Sequence, residues 1–142
     1  MSVAIRDARP EDAEQIALLI EDLGHAMDSA AVAATISALA RHDCAQRVAV
    51  AGDRILGLCG LHVMTVVHRP LPVGRITILE VAEDCRGQGI GRLLVNDAEQ
   101  RLRAHGCGLL EVTSNERLVK AHAFYRHLGF DQTSKRFAKP LA

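Results

Sequence analysis

The chain has no excess of charge of either sign. Lys and Arg together number 17, Asp and Glu together number 17, and the formal net charge is zero. A nucleic-acid footprint needs a clear basic excess, so no nucleic-acid partner is expected. Long apolar runs are missing as well. None approaches the roughly 20 residues that span a bilayer, and Arg6, Asp7 and Arg9 interrupt the stretch where a secretion signal would run. No membrane partner is expected, and the expected location is cytoplasmic. The four cysteines, Cys44, Cys59, Cys85 and Cys107, form no Cys-x-x-Cys pair and follow no regular spacing. They read as ordinary reduced thiols. No Gly-Lys-Ser or Gly-Lys-Thr occurs, which removes the nucleoside-triphosphate loop. Repeats, linkers and low-complexity stretches are also absent.

What is present is the make-up of a folded domain. Hydrophobic residues are 49% and charged residues 24% of 142, enough for a real core in one domain over residues 1–142. Val3–Ala8 alternates as a first strand. Pro10-Glu11-Asp12 opens a helix, with proline near its first position and acids in its first turn. Ala13, Ile16, Ala17, Ile20 and Leu23 mark one face of it, up to Gly24. Asp28 or Ser29 caps a second helix running to about His42. Gly52-Asp53 joins strands Arg47–Ala51 and Ile55–Val67, and the loop His68–Gly74 carries two prolines. Arg75–Glu83 is the next strand, Ile90–Ala104 a helix stopped by Gly106, and Gly108–Val112 a strand. Thr113 and Glu116 are spaced as a capping box for a helix over Glu116–Leu128. Gly129 ends that helix and Phe130–Leu141 remains as strand material. The order is β-αα-βββ-α-β-α-β, an α+β class.

The segment richest in chemistry is Arg86-Gly87-Gln88-Gly89-Ile90-Gly91, between a strand and a helix. Glycine lets the backbone approach a ligand closely and adopt positive φ. Unpaired amides and the positive end of the dipole at a helix start then favour an anion. A dinucleotide fingerprint needs glycine at the sixth position from Gly87, where Arg92 stands. The remaining pattern is Arg/Gln-x-x-Gly-x-Gly/Ala, carried by Arg86, Gly89 and Gly91. With Leu79-Glu80-Val81 upstream, and Glu111-Val112-Thr113-Ser114-Asn115 and the segment Ala121–Phe130 downstream, it resembles the coenzyme A loop of the GNAT superfamily of N-acetyltransferases. The resemblance covers roughly Ile55 to the C-terminus.

The resemblance implies a single GNAT-like domain. Its mixed, mainly antiparallel sheet would have six to seven strands, flanked by about four helices and splayed at the fourth and fifth strands. It implies acetyl-CoA as acetyl donor, with no metal expected. Backbone amides of Arg86, Gly87, Gln88, Gly89, Ile90, Gly91 and Arg92 would take the pyrophosphate. Leu79 and Val81 would bind the pantetheine arm through their backbone, the Val81 amide polarising the thioester carbonyl. Asn115, Ala121 and Phe124 would complete the coenzyme site, Asn115 being equally a helix cap. Tyr125, the chain's only tyrosine, matches the superfamily's general acid. Its phenol, of ordinary pKa about 10, can donate to a thiolate.

Period-two alternation turns Glu80 away from Leu79 and Val81, toward the side where an acceptor amine enters, and makes it the candidate base. Many family members hold their base slightly earlier, where this chain has Ile78. His62 and His122 are the other candidates, and a metal set of His62, His68 and Glu80 has no diagnostic spacing.

Within the superfamily the chain resembles aminoalkylphosphonate N-acetyltransferases. The shared features are Gly57-Leu58-Cys59-Gly60-Leu61-His62, Val66-Val67-His68, the Thr113-Ser114-Asn115 region, Ala121-His122 before Phe124-Tyr125, and Arg136-Phe137-Ala138-Lys139-Pro140-Leu141. An anionic acceptor would call on Arg75 or Arg69. The expected reaction is acetyl transfer to a primary amine of a small molecule by direct attack in a ternary complex. A protein lysine or N-terminal acetyltransferase and a non-catalytic acetyl-CoA-binding module remain as alternatives. The resemblance also allows a homodimer paired through terminal strands.

Overall fold

Pro10 begins a helical segment at the one place where its fixed φ and missing N–H do no harm. A 3-10 turn over Pro10–Asp12 leads into α1 (Ala13–Asp22), and Gly24, at φ 103°, ends it. Buried Asp12 ties this turn to β1 (Ala4–Asp7). Its carboxylate accepts from Arg6 Nη1 at 2.7 Å and Nη2 at 2.9 Å, and from the Arg9 amide at 2.8 Å. α2 (Ser29–Ala38) is capped by Asp28, whose Oδ1 accepts from the Ala31 amide at 2.7 Å, and it stops short of His42.

The computed structural model describes residues 2–142, which form two compact units, one up to Glu111 and the other from Val112. The first unit carries the sheet. β2 (Cys44–Ala51) and β3 (Arg54–Met64) are joined by Gly52 at φ 58°, and β4 (Val73–Val81) follows the proline loop. After a 3-10 turn at Glu83–Cys85 come the glycine turn, α3 (Ile90–Ala104) and β5 (Leu109–Val112). The strands form one mixed sheet in the order β1-β2-β3-β4-β5, with each neighbouring pair from β1 to β4 antiparallel. The β3–β4 register moves from Gly60 opposite Ile78 to Leu61 opposite Ile76, leaving Thr77 as the extra residue of a bulge on β4.

α3 rests on two glycines. A Cβ at Gly57 would stand 3.0 Å from Leu94 Cδ1 and 3.3 Å from Ile90 Cγ2, and one at Gly74 2.5 Å from Leu102 Cδ1. The helix thus lies against the sheet at both ends, and its Ile90, Leu94, Val95, Ala98 and Leu102 are buried. This close packing sets where the start of α3 meets the end of β4.

The second unit contains α4 (Val119–His127), ended by Gly129 at φ 93°. Two expectations fail here. The expected capping box of Thr113 and Glu116 does not start the helix. Asn115 Oδ1 accepts from the Arg117 amide at 3.0 Å and the Leu118 amide donates to Asn115 O at 2.9 Å, a local turn that displaces the helix start to Val119. The sheet also has five strands among the described residues, not six to seven, because Phe130–Leu141 forms none. That segment has a polar run from Asp131 to Arg136 and no alternating apolar face. Phe137 and Leu141 are 92% and 95% exposed, and Pro140 has no N–H for a ladder.

Candidate active site

The two faces of β4 divide the expected roles. Gly57 faces α3, so Val81, directly opposite it, and Leu79, opposite Cys59, share the α3 face. Glu80, opposite Leu58, faces the other side of the sheet, as alternation requires. The Ala82 amide donates to Leu56 O at 2.8 Å, which makes the neighbouring Gly57–Val81 pair a non-hydrogen-bonded one. The N–H groups of Val81 and Leu79 therefore point away from β3, toward the β5 side of β4.

Glu80 is 8% exposed. Its Oε1 accepts from Arg86 Nη2 at 2.7 Å, and Arg86 Nε donates to Val81 O at 3.2 Å. Burial pushes the Glu80 carboxyl above the usual carboxylate range. Arg86 opposes that shift through its hydrogen bond and charge, and the negative charge of Asp22 on α1 adds to it. The Arg86 side chain thus holds the carboxylate, a role that sequence reasoning, which used only its backbone amide, missed. A strand carboxylate and a turn arginine six residues on were the signal available.

The glycine turn is open. Gly87 and Gly89 sit at φ 77° and 83°, and a Cβ at either would meet no heavy atom within 4 Å. Glycine is needed here for the left-handed backbone, and no protein atom crowds the place where either Cβ would stand. α3 starts at Gly89 with no side-chain cap and no acid in its first turn, and Arg92 is exposed there. The amides of Ile90, Gly91 and Arg92 lie in the first turn, where a helix offers them no acceptor. An uncapped helix start with amides that lack helical acceptors suits an anion such as a pyrophosphate. Ile90 itself is buried against Gly57, so its side chain anchors the turn.

Asn115, Ala121, His122, Phe124 and Tyr125 belong to the second unit. Tyr125 is half-buried between Phe124 and Phe130, with edge-on ring centroids at 5.4 and 5.5 Å. Ala121 is half-buried on the same helix. Asn115 is exposed and spends its Oδ1 on Arg117, while its carbonyl lies 2.9 Å from His122 Nε2. His122 therefore braces the turn before α4. His62, in the first unit, lies across from Arg75 and 3.6 Å from Asp43 Oδ2. His68 is exposed in the proline loop.

A cleft of about 430 Å³ opens between α1 and the junction where β3 begins and β4 ends. Asp22, Glu83 and Asp84 line it against a single cation, Arg54, which is ion-paired with Asp84. The cleft therefore favours a cationic guest. No helix among the described residues is long and apolar enough to cross a membrane.

No protein of curated function matches the chain in sequence. Solved structures resemble it closely in shape. A transcriptional regulator from Bacillus halodurans superposes with TM-score 0.89 at 22% identity, covering 99% of this chain and 100% of its own. A GNAT family acetyltransferase from Staphylococcus aureus gives 0.84 at 21%, covering 99% and 100%. Glucosamine-6-phosphate N-acetyltransferase from Arabidopsis thaliana gives 0.86 at 16%, covering 100% of both chains. Likeness at these identities establishes the fold alone. The model of the acetyltransferase (GNAT) family matches residues 9–130, a span that takes in α1, the whole of β2 to β5, the glycine turn and α4. On that match the chain belongs to the GNAT family of acetyltransferases.

Proposed function

We propose that the chain transfers the acetyl group of acetyl-CoA to the primary amine of a small molecule, by direct attack within a ternary complex. The observation that carries this reading is Glu80, a buried carboxyl raised above its ordinary range and turned to the sheet face opposite α3. A carboxylate of raised pKa is a better proton acceptor near neutral pH than an exposed one. The acidic cleft, whose Asp22 acts through its charge on Glu80, supports a cationic acceptor.

Acetyl-CoA brings an activated thioester. The residues of this chain supply the rest. The amides at the start of α3 hold the pyrophosphate, and the N–H of Val81, turned away from β3, donates to the carbonyl oxygen as charge develops there. Glu80 takes the proton of the incoming ammonium, directly or through water. As the C–N bond forms and the C–S bond breaks, the leaving thiolate takes a proton from a general acid, the role that the resemblance to the GNAT superfamily gives to Tyr125, and the second amine proton, released as the amide forms, restores that acid. Arg75, opposite His62, shares the Glu80 face and is the residue there suited to an anionic group on the acceptor. Aminoalkylphosphonates are therefore the first acceptors to try.

The test is release of free coenzyme thiol with aminoalkylphosphonates, polyamines, amino acids, aminoglycosides and lysine peptides. Turnover with one small-amine class is expected. Glu80→Gln should lose most of it near neutral pH and recover as the amine deprotonates itself at high pH. Turnover with peptides alone would establish the protein-modifying alternative. Binding of acetyl-CoA without turnover on any acceptor would favour the binding module.

A further inference from the structure

We propose that Asp43, Cys44 and His62 form a binding site for a divalent transition-metal ion of the zinc class, away from the Glu80 carboxyl and the glycine turn. A carboxylate oxygen, a thiol sulfur and an imidazole nitrogen, one from each residue, all lie within 4.8 Å of one another. Four-coordinate zinc, with bonds of about 2.0–2.3 Å, places its donors roughly 3.3–3.7 Å apart. The Asp43 Oδ2 to His62 Nε2 separation is already 3.6 Å, so a small contraction of the group completes three coordination positions.

The backbone holds these donors in advance. Cys44 and His62 are direct cross-strand partners on β2 and β3, and the Val63 amide donates to Asp43 O at 2.7 Å. Sites on paired strands keep their geometry better than sites on free loops. Asp43 also has an unmet need. Arg41 Nη2 donates to its Oδ2 at 2.7 Å, while Oδ1 is buried with no hydrogen-bond partner. Buried acceptors are normally satisfied, and a cation would satisfy this one.

The donor set selects the metal class. Sulfur and nitrogen beside oxygen suit zinc or cobalt, whereas magnesium and calcium take oxygen alone. The Cys44 thiol would release its proton to solvent as its bond to the metal forms. All three residues are half-buried, so a fourth position stays open to water.

The site lies on the same sheet face as Glu80 but at a distance from it. His62 is four residues along β3 from Leu58, the partner of Glu80, or about 13 Å at the rise of a strand. The sequence set His62, His68 and Glu80 suggested no metal. The β2–β3 register replaces two of its members with Asp43 and Cys44.

Cobalt(II) chloride, titrated into the untagged, metal-free full chain, gives the test by absorbance. The expected result is one equivalent bound, with a thiolate-to-cobalt charge-transfer band and the strong visible bands of four-coordination, all lost on adding zinc chloride. Cys44→Ser should abolish the charge-transfer band, and Cys107→Ser should leave it intact. His62→Gln and Asp43→Asn should each weaken cobalt binding by at least the roughly 10–100-fold that loss of an outer-shell partner costs. Circular dichroism of each variant checks that it folds, and His62→Gln keeps the test decisive should Cys44→Ser not fold. Absence of the band in the parent chain, its survival in Cys44→Ser, or its loss in Cys107→Ser would overturn the proposal.

Discussion

Arg86 Nη2 stands 2.7 Å from Glu80 Oε1, so the first side chain of the glycine turn is ion-paired with the carboxyl proposed as base. The pair joins the two halves of the proposed chemistry, since the backbone of the same arginine begins the proposed phosphate cradle. It also sets the state of the base. Burial raises the Glu80 carboxyl and Arg86 is the main force pulling it back.

Arg86→Ala should therefore raise Glu80 further. In the coenzyme-free protein the carboxyl resonance of Glu80 should titrate at higher pH than in the parent. The acid limb of kcat/KM should move the same way, because the base must be ionised to act. Arg86→Lys, which keeps the charge and loses the fork geometry, should fall between the two. An unmoved Glu80 titration would mean that the pair has no hold on the base.

Gly89 carries the second prediction. Its φ of 83° is the left-handed conformation, yet nothing crowds the place where a Cβ would be. Gly89→Ala should thus cost about 1–2 kcal/mol through backbone strain rather than through a clash. The chain can relieve that strain only by moving the turn, which turns amides away from the pyrophosphate. Calorimetry with coenzyme A should show affinity falling roughly tenfold or more, with a modest loss in thermal stability. Unchanged affinity would remove the turn from the cradle.

The sequence made the strand, turn and helix around this site legible because their signals are local. Pro10, Gly24, Gly52, Gly106 and Gly129 each mark an element boundary by backbone chemistry, and α3 runs over Ile90–Ala104 as its periodicity predicts. Alternation on β4 correctly opposed Glu80 to Leu79 and Val81. What escaped were relations set by register or by competition. The Arg86–Glu80 pair depends on how the turn folds back. The Asp43, Cys44 and His62 group depends on the pairing of β2 with β3. Asn115 captured backbone groups that the Thr113–Glu116 pattern assigned to a helix cap, and Phe130–Leu141 lacked the alternating face that would have made it a strand.

Tyr125 allows the proposed acid to be separated from packing. Its ring lies edge-on to Phe124 and Phe130, so Tyr125→Phe keeps the aromatic contacts and removes only the hydroxyl. Turnover should fall by roughly 10²–10⁴, as loss of a general acid typically does, with coenzyme affinity nearly intact. An unaltered rate with lowered thermal stability would assign the hydroxyl a structural role.

Asp12 and Arg6 govern how the fold responds to acid. Two parallel hydrogen bonds, at 2.7 and 2.9 Å, join the guanidinium to the carboxylate. Arg6 is the largest influence on the Asp12 carboxyl and holds it below the usual range, against burial, with the Arg9 amide assisting. A depressed carboxyl stabilises the fold fully above its unfolded pKa of about 3.9, and that contribution disappears as pH falls through the lower folded value. Asp12→Asn keeps the shape and an acceptor for the Arg9 amide but loses the charge. It should destabilise the protein by about 2 kcal/mol near neutral pH, the range of a hydrogen bond to a charged group. Urea denaturation at a series of pH values should show the parent converging on the variant below about pH 4, as the parent carboxylate itself protonates. A gap that stays constant with pH would mean that Asp12 contributes through packing and not through its charge.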